Sequence, residues 1–184
     1  SCIYGGELAR TRAIRYVESL RERTEAASSR YFDQELKRQK EANEHLLRLR
    51  GKENPYLLWE EMAKVMTDHV TVIRNNRDLK ATDEKLLELT ERLERISLSD
   101  STNWVNQVII FTRELEFMLV LARVITLGAL ARNESRGAHY KPEFPQRNDL
   151  DWLKTTVAKW TGKGIELFYE PVNTSLLEPR ERKY

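Results

Sequence analysis

The sequence of 184 residues contains one cysteine, Cys2, and only seven glycines, five prolines and three histidines. A single cysteine forms no internal disulfide, and a structural zinc site requires about four ligands. The fold therefore depends on neither a disulfide nor a structural zinc ion, and a reducing compartment is expected. His45, His69 and His139 fall on different predicted elements, and none has a partner at metal-ligand spacing. We therefore expect no metal site.

The sequence also lacks a charge excess and a long apolar run. Its 31 Lys and Arg residues against 29 Asp and Glu residues give a net charge of +2, which is too weak to indicate a nucleic-acid partner. The most apolar run, 117–131, contains Arg123 and Thr126 and is shorter than the ~20 residues of a membrane span. We expect no nucleic acid, no direct membrane span and a buried helix at 117–131.

The first residues lack an initiating Met and the pattern of a signal peptide, which predicts a fragment of a longer protein. Polar helices are predicted at 7–20 and 31–50. Between them, 21–29 has no periodicity and is interpreted as a linker, and Gly51 is expected to end the second helix.

Three further helices are predicted at 54–69, 78–97 and 104–131. Asn54 before Pro55 is typical of a helix start, because Asn caps free N–H groups and Pro lacks only a donor that would be unpaired. The last helix has apolar residues at alternating spacings of four and three, which favours central packing in a bundle. This predicted seam comprises Trp104, Val108, Phe111, Leu115, Met118, Ala122, Ile125 and Ala129.

The remaining segments have β character. Residues 155–160 and 165–172 are β-prone and flank 161–164, which predicts a hairpin with a four-residue turn. Residues 70–73 are expected to be extended, and the tail after Pro171 is expected to be polar and extended. The fold class predicted is all-α, a helical bundle with a small C-terminal β-hairpin.

The most specific stretch is the polar loop 132–149, directly after the apolar helix. Gly137 permits a sharp turn, Arg136 offers a planar fork for carboxylates, and His139 can donate or accept near neutral pH. These side chains either meet a substrate or fix the loop to a neighbouring domain or subunit, and we favour the second interpretation. Glu114 and Glu116 lie two positions apart, so a helix points them to different sides rather than pairing them for acid–base chemistry.

Four stretches, in order, resemble the flavoprotein subunit of succinate dehydrogenase and fumarate reductase. Asn133–Asp149 resembles the family pattern N-E-S-R-G-A-H-Y/S-x-x-D/E-F/Y-P-x-R-[DN]-D. Residues 1–6 resemble the end of the flavin-binding domain, and 68–74 resemble D-x-V-[GT]-[VI]-x-R. The tail 165–184 resembles the terminal strand and its Pro-Arg-x-x-x-Tyr ending.

The resemblance implies an up-and-down, three-helix bundle similar to a spectrin repeat, at 30–150. It assigns 1–29 to the last helix of a truncated flavin-binding domain plus a linker, and 151–184 to the hairpin and tail. In the family, FAD on the upstream domain accepts a hydride from succinate, and electrons pass through an iron–sulfur subunit to a membrane-anchored quinone site. The catalytic and flavin-contacting motifs would precede residue 1, so we expect no catalytic, FAD-binding or metal-binding residue here and an inactive isolated chain.

The expected role is to buttress the flavin domain and the face toward the iron–sulfur subunit, with Arg74, Arg136, His139 and Tyr140 as the interface residues. The complex would be cytoplasmic and peripheral to the inner face of the cell membrane. Without its parent domain, the first helix is expected to be displaced or to pack against a second copy in a homodimer. Two alternatives remain: the corresponding domain of L-aspartate oxidase, which has a similar S-R-G-x-H-Y loop, and a self-standing, non-enzymatic helical interaction module.

Overall fold

The computed structural model describes residues 2–22, 24–102, 104–162 and 164–180, in two compact units, Ser1–Glu44 and His45–Tyr184. The first contains helix α1 (Cys2–Ser19), a short 3-10 turn (Thr24–Ala26) and most of helix α2 (Ser29–Arg48). No described residue of α1 is buried, and its apolar side chains, among them Ile14 and Val17, are exposed. Its helical face is therefore free of packing within the unit.

The second unit is built on three helices: α3 (Pro55–His69), α4 (Asn76–Leu93) and α5 (Gln107–Ala131). Each starts after an Asn whose side chain accepts a backbone N–H, which satisfies donors that have no partner inside the helix. The three helices pack around one core, which confirms the predicted bundle. Its buried residues are Leu58, Met62, Leu86, Leu89, Leu93, Ile96, Leu115, Leu119 and Ala122.

Helix α5 starts later and faces the core differently than predicted. Its N-cap is Asn106, so Trp104 lies outside the helix and is 83% exposed. The buried stripe keeps the predicted four-three spacing but passes through Thr112, Leu119 and Thr126. Of the predicted residues beside it, Phe111 and Met118 are partly buried and pack against the core, whereas Ile125 is 50% exposed. Apolar residues on nearly every side of α5 made the hydrophobic pattern ambiguous. The stripe runs through Val108, Thr112, Leu115, Leu119, Ala122, Thr126 and Ala129.

Gly51 has a different role from the predicted helix stop. Helix α2 ends at Arg48, and Gly51 lies where the chain crosses the segment after α4. A Cβ at this position would lie 1.6 Å from the carbonyl oxygen of Arg95, so only glycine fits. The Gly51 N–H donates to the carbonyl of Ile96 at 2.9 Å, which ties the end of α4 to the chain entering α3.

Ion pairs hold the bundle at its surface. The Arg92 guanidinium on α4 donates to both carboxylate oxygens of Glu53 and both of Glu61, at 2.8–3.0 Å. Hydrogen bonds from Arg92 and Lys85 lower the pKa of Glu61 to about 2. Because one planar fork bridges the segment before α3, α3 itself and α4, it fixes their relative positions.

The predicted hairpin is confirmed. Strand β1 (Lys154–Trp160) pairs antiparallel with strand β2 (Ile165–Pro171), and Trp160 faces Ile165 across the turn. A single turn of helix, α6 (Asp149–Trp152), precedes it. Within the described parts of the chain, no helix combines the length and the apolar character needed to cross a membrane.

Candidate interface site in the loop after α5

The loop 132–148 folds back over the junction between α3 and α4. The Arg74 N–H donates to the Tyr140 carbonyl at 2.9 Å, and the Tyr140 N–H donates to the Val72 carbonyl at 3.1 Å. This bridge involves only Ile73 of the predicted extended segment 70–73, and residues 70–72 form bends. The expectation of an extended run is therefore wrong beyond Ile73, because α3 runs directly into a tight joint before α4.

Gly137 makes the sharp turn that its sequence context predicts. It adopts φ +60°, a conformation that costs a side chain steric energy. The flanking Arg136 and His139 exchange two backbone hydrogen bonds, at 2.8 and 3.0 Å. The turn thereby brings the two predicted interface side chains to the same end of the loop.

A buried carboxylate, Glu134, organises the loop. Its side chain is fully buried and accepts from Arg132 at 2.5 Å, from Arg136 at 2.8 and 2.9 Å, and from the Asn148 backbone N–H at 3.0 Å. Burial acts to raise the pKa of Glu134, but these hydrogen bonds outweigh it and the pKa is lowered. Arg136 also donates to Asp149 at 2.6 Å, so both arginines are held by internal carboxylates.

His139 lies between two arginines. Arg74 Nη1 is 2.8 Å from His139 Nδ1, and His139 Nε2 is 3.1 Å from the carbonyl oxygen of Arg132. Burial lowers the pKa of His139, and the nearby charges of Arg74, Lys141 and Arg132 lower it further, against the hydrogen bond to the carbonyl. The imidazole is therefore held neutral at physiological pH.

Lys141 is fully buried beneath the loop. Its ammonium donates to the Leu130 carbonyl at 3.0 Å and to Asn133 Oδ1 at 3.3 Å, and lies 5.9 Å from the ring centroid of Phe144. Burial lowers its pKa to about 8. A buried lysine with no ion-pair partner among the described residues is a costly arrangement, held here by the Leu130 carbonyl near the end of α5 and the Asn133 side chain.

Arg132 joins the loop to the hairpin. Besides Glu134, its guanidinium donates to the carbonyls of Trp152 and Lys154 at 3.0 and 2.6 Å and to Thr156 Oγ1 at 3.2 Å. It also lies 5.3 Å from the Trp152 ring centroid. The hydrogen bonds of Arg132 thus link the C-terminal end of α5, the loop and β1.

The structure brings together the four predicted interface residues, Arg74, Arg136, His139 and Tyr140. Of these, Tyr140 is 40% exposed, whereas the other three are partly buried and bonded internally. The sequence analysis did not identify Glu134, Arg132 and Lys141 as organising residues. Arg132 and Arg136 lie two residues before and after Glu134, and this spacing could have indicated the ion-pair cluster. Nothing in the sequence indicated that Lys141 is buried.

The other histidines lie elsewhere. His45 is exposed, with Nε2 3.2 Å from Glu94 Oε2, as expected of a surface residue. His69 is the last residue of α3, and its Nδ1 lies 3.8 Å from Asp78 Oδ2 in the first turn of α4. Over the described ranges, no three His, Cys, Asp or Glu residues are grouped to hold a metal ion.

The second unit is a three-helix domain followed by a polar loop. The side chains of this loop are engaged in hydrogen bonds and ion pairs within the domain and are not arranged as a catalytic site. Residues 59–184 match the family described as "Fumarate reductase flavoprotein C-term". The chain is 48% identical over its full length to the succinate dehydrogenase flavoprotein subunit of Bacillus subtilis, of which it covers 32%. It is 32% identical to the fumarate reductase flavoprotein subunit of Haemophilus influenzae, over 77% of this chain and 24% of that protein.

Solved structures agree. The FrdA chain of E. coli quinol fumarate reductase superimposes with a TM-score of 0.79 and 28% identity, over 84% of this chain and 27% of that one. The chain belongs to the C-terminal domain family of fumarate reductase and succinate dehydrogenase flavoproteins. It spans about a third or less of the length of these relatives.

Proposed function

We propose that this chain is the C-terminal helical domain of the flavoprotein subunit of a succinate dehydrogenase. The observation that carries the proposal is the 48% identity over the whole chain to such a subunit, with the loop 132–149 included. The parent protein would oxidise succinate to fumarate with FAD and pass electrons through an iron–sulfur subunit to quinone. It would be cytoplasmic and peripheral to the membrane through its complex.

The domain's own role would be structural, with residues 1–29 belonging to the upstream flavin-binding domain. The paired glycines Gly5 and Gly6 lie inside helix α1 and not in a loop before a helix N-terminus, so they do not form a phosphate cradle for FAD. We assign FAD to the preceding polypeptide, where it supplies the hydride acceptor. The residues of this chain would position that domain and take no part in the reaction.

An exposed apolar stripe on α5 supports a docking role. Ile110, Phe117, Leu121 and Ile125 lie on the face of α5 turned away from the core and are 50–59% exposed. Exposed apolar side chains that recur on one helix face, here interrupted by Glu114, are typical of a surface covered by another domain. Together with the exposed Tyr140, this stripe is our candidate surface for the flavin domain and the iron–sulfur subunit.

The roles of the four predicted interface residues then differ. Tyr140 would make direct contacts through its exposed side chain, whereas the bonds that Arg74, Arg136 and His139 make inside the domain would also hold the loop in shape. Replacing Arg136 with Ala would disturb Glu134 and Asp149 as well as any interface, so it is a poor sole test. Substitutions at exposed positions affect docking without disturbing the loop, so they distinguish the two roles.

The experiment compares Phe117→Glu and Tyr140→Ala with a control, Leu87→Glu, at an exposed apolar position on α4. In the 184-residue chain, all three variants should keep the wild-type unfolding midpoint within a few degrees. In the full-length subunit, the first two should lower flavin retention and recovery of the assembled complex, and the control should not. Unchanged assembly in both variants would refute the docking role. Turnover of aspartate instead of succinate by the parent would refute the enzyme assignment and favour L-aspartate oxidase.

A further inference from the structure

A cavity of about 350 Å³ opens between the C-terminal end of α5, the loop and β1. At about 30 Å³ per water, it has room for roughly ten waters or a small organic acid. Four of its lining side chains are cationic, and His139 adds a neutral imidazole. The lining comprises Arg74, Gly128, Ala129, Arg132, Arg136, His139, Lys154 and Thr156.

Arg74 is the least compensated of these cations. Its Nε donates to the Val70 carbonyl at 3.0 Å and its Nη1 lies 2.8 Å from His139 Nδ1, which leaves Nη2 without a hydrogen-bond acceptor among the described residues. Among the same residues, no carboxylate lies within ion-pair distance of it. Burial lowers the pKa of Arg74, as expected for a partly buried guanidinium without a counter-ion.

Lys154 is uncompensated in the same way. Its ammonium lies 4.6 Å from the ring centroid of Trp152 and 4.3 Å from that of Tyr169, so two aromatic faces hold it at the cavity. Within the described residues it has no carboxylate partner. Arg136 contributes a further donor, because its bonds to Glu134 and Asp149 use Nε and Nη2 and leave Nη1 unused.

The arrangement is therefore rigid and positively charged. Arg132 and Arg136 are fixed by Glu134, and Lys154 by its aromatic rings, so a ligand in the cavity would meet cations that have already lost side-chain entropy. Planar guanidiniums suit carboxylates and other oxyanions because they donate two parallel hydrogen bonds. A neutral or cationic ligand would leave these charges uncompensated.

We propose that this cavity is a carboxylate-binding site in which Arg74 and Lys154 supply the charge and Arg136 a further hydrogen bond. The carboxylate comes either from a small organic diacid or, where the inference rests on the proposed function, from an Asp or Glu side chain of the upstream flavin-binding domain. The site lies in the second unit alone and does not depend on which reaction the parent protein catalyses.

The test measures the thermal unfolding of the 184-residue chain with malonate, against sodium chloride at equal ionic strength. A site predicts a saturable rise of about 2–4 °C at a malonate concentration about five times the dissociation constant. General salt stabilisation is not saturable and acts on every variant alike. Arg74→Gln and Lys154→Gln should abolish the saturable rise, and the controls Arg77→Gln and Lys159→Gln, on exposed positions, should keep it. An absent rise, or a rise that survives in Arg74→Gln, overturns the proposal.

A second pair of variants tests the site without added ligand. A Cβ at Gly128 would lie 4.0 Å from Thr156 Cγ2, which is ordinary contact, so a short side chain fits. Gly128→Asp places a carboxylate in the cavity, and Gly128→Asn is its uncharged match. At low salt the Asp variant should have the higher unfolding midpoint and should no longer respond to malonate. A higher midpoint for the Asn variant would overturn the proposal.

The full-length subunit distinguishes the two sources of the carboxylate. Malonate resembles succinate and would also occupy the catalytic site of the parent enzyme, so the readout there is the part of the saturable response that Arg74→Gln removes and Arg77→Gln keeps. Such a response identifies a free diacid as the ligand. Its absence, together with a lower midpoint for Arg74→Gln than for Arg77→Gln, identifies a side chain of the upstream polypeptide. Equal midpoints for these two variants and no such response would overturn both.

Discussion

Arg74 Nη1 lies 2.8 Å from Nδ1 of His139, and this one distance fixes the protonation of the imidazole. A guanidinium only donates, so Nδ1 accepts and the ring hydrogen must be on Nε2. Nε2 in turn lies 3.1 Å from the carbonyl oxygen of Arg132, its acceptor. The two residues join the α3–α4 joint to the loop, and this contact exists only while His139 is neutral.

The contact predicts a loss of stability at mildly acidic pH. Because the folded pKa of His139 lies below its unfolded value of about 6.5, the unfolded chain takes up the proton first. Stability from this group is complete above pH 6.5 and is lost as the pH falls below it, with a slope of at most about 1.4 kcal/mol per pH unit. The measurement is the free energy of unfolding in urea from pH 7.5 to 5.5.

The matched variants isolate His139. In His139→Gln the slope in this window should be smaller than in the wild type, whereas His45→Gln should keep the wild-type slope because His139 is intact. If His139→Gln and the wild type lose stability in parallel, the neutral-imidazole assignment is wrong.

Glu134 should be the most sensitive position in the loop. Glu134→Gln removes the charge that two partly buried arginines share, and breaking a buried ion pair on one side costs about 3–5 kcal/mol. The control is Glu116→Gln on the exposed face of α5, with an expected change within about 0.5 kcal/mol. Denaturant unfolding of the two variants checks this, and a loss below about 1 kcal/mol in Glu134→Gln would contradict the buried role.

The bundle was predictable where a local rule fixes an element. Asn54 before Pro55 located the start of α3, and β-prone runs around a four-residue turn located the hairpin. The rotation of α5 was not predictable in this way. Phe111 and Thr112 both lie toward the core: Thr112 is fully inside it, and Phe111 packs at its edge, stacked on Tyr56 at a centroid distance of 4.3 Å.

The sequence predicted several residues of the candidate site, but it did not predict which residues they contact. Gly137 indicated the turn, and the loop motif singled out Arg136 and His139. Their partners are set by contacts across the chain, such as Arg74 with His139, 65 residues apart. Pattern and spacing carry no information on such a contact.

The burial of threonine on α5 can be tested directly. Thr112 is 1% exposed and its hydroxyl has no hydrogen-bond partner among the described residues, whereas the Thr126 hydroxyl donates to the Ala122 carbonyl at 2.8 Å. Thr112→Val removes an unsatisfied polar group without changing shape and should stabilise the chain by about 1 kcal/mol. Thr126→Val loses a made hydrogen bond and should be neutral or destabilising by up to about 1 kcal/mol. The measurement is the denaturant midpoint of each variant against the wild type. Destabilisation by Thr112→Val would show that the Thr112 hydroxyl has a hydrogen-bond partner.

Lys141 predicts a gain of stability at alkaline pH, because its folded pKa of about 8 lies below its unfolded value. Below pH 8 both states carry the proton and the full cost of burying the charge is present. Between pH 8 and about 10.5 the folded chain releases the proton while the unfolded chain keeps it, so this residue's contribution rises with pH by about 3 kcal/mol in all. Its neutral amine still donates to the Leu130 carbonyl.

The check is the difference in unfolding free energy between the wild type and Lys141→Met, measured from pH 7 to 10. The wild type should gain on the variant across this range, because methionine is an unbranched side chain one atom shorter than lysine and has no proton to release. The exposed control Lys159→Met should follow the wild type, since Lys141 is intact in it. A constant difference between wild type and Lys141→Met would mean that the ammonium remains charged through pH 10. Its acceptors, the Leu130 carbonyl and Asn133 Oδ1, would then compensate the burial of the charge in full.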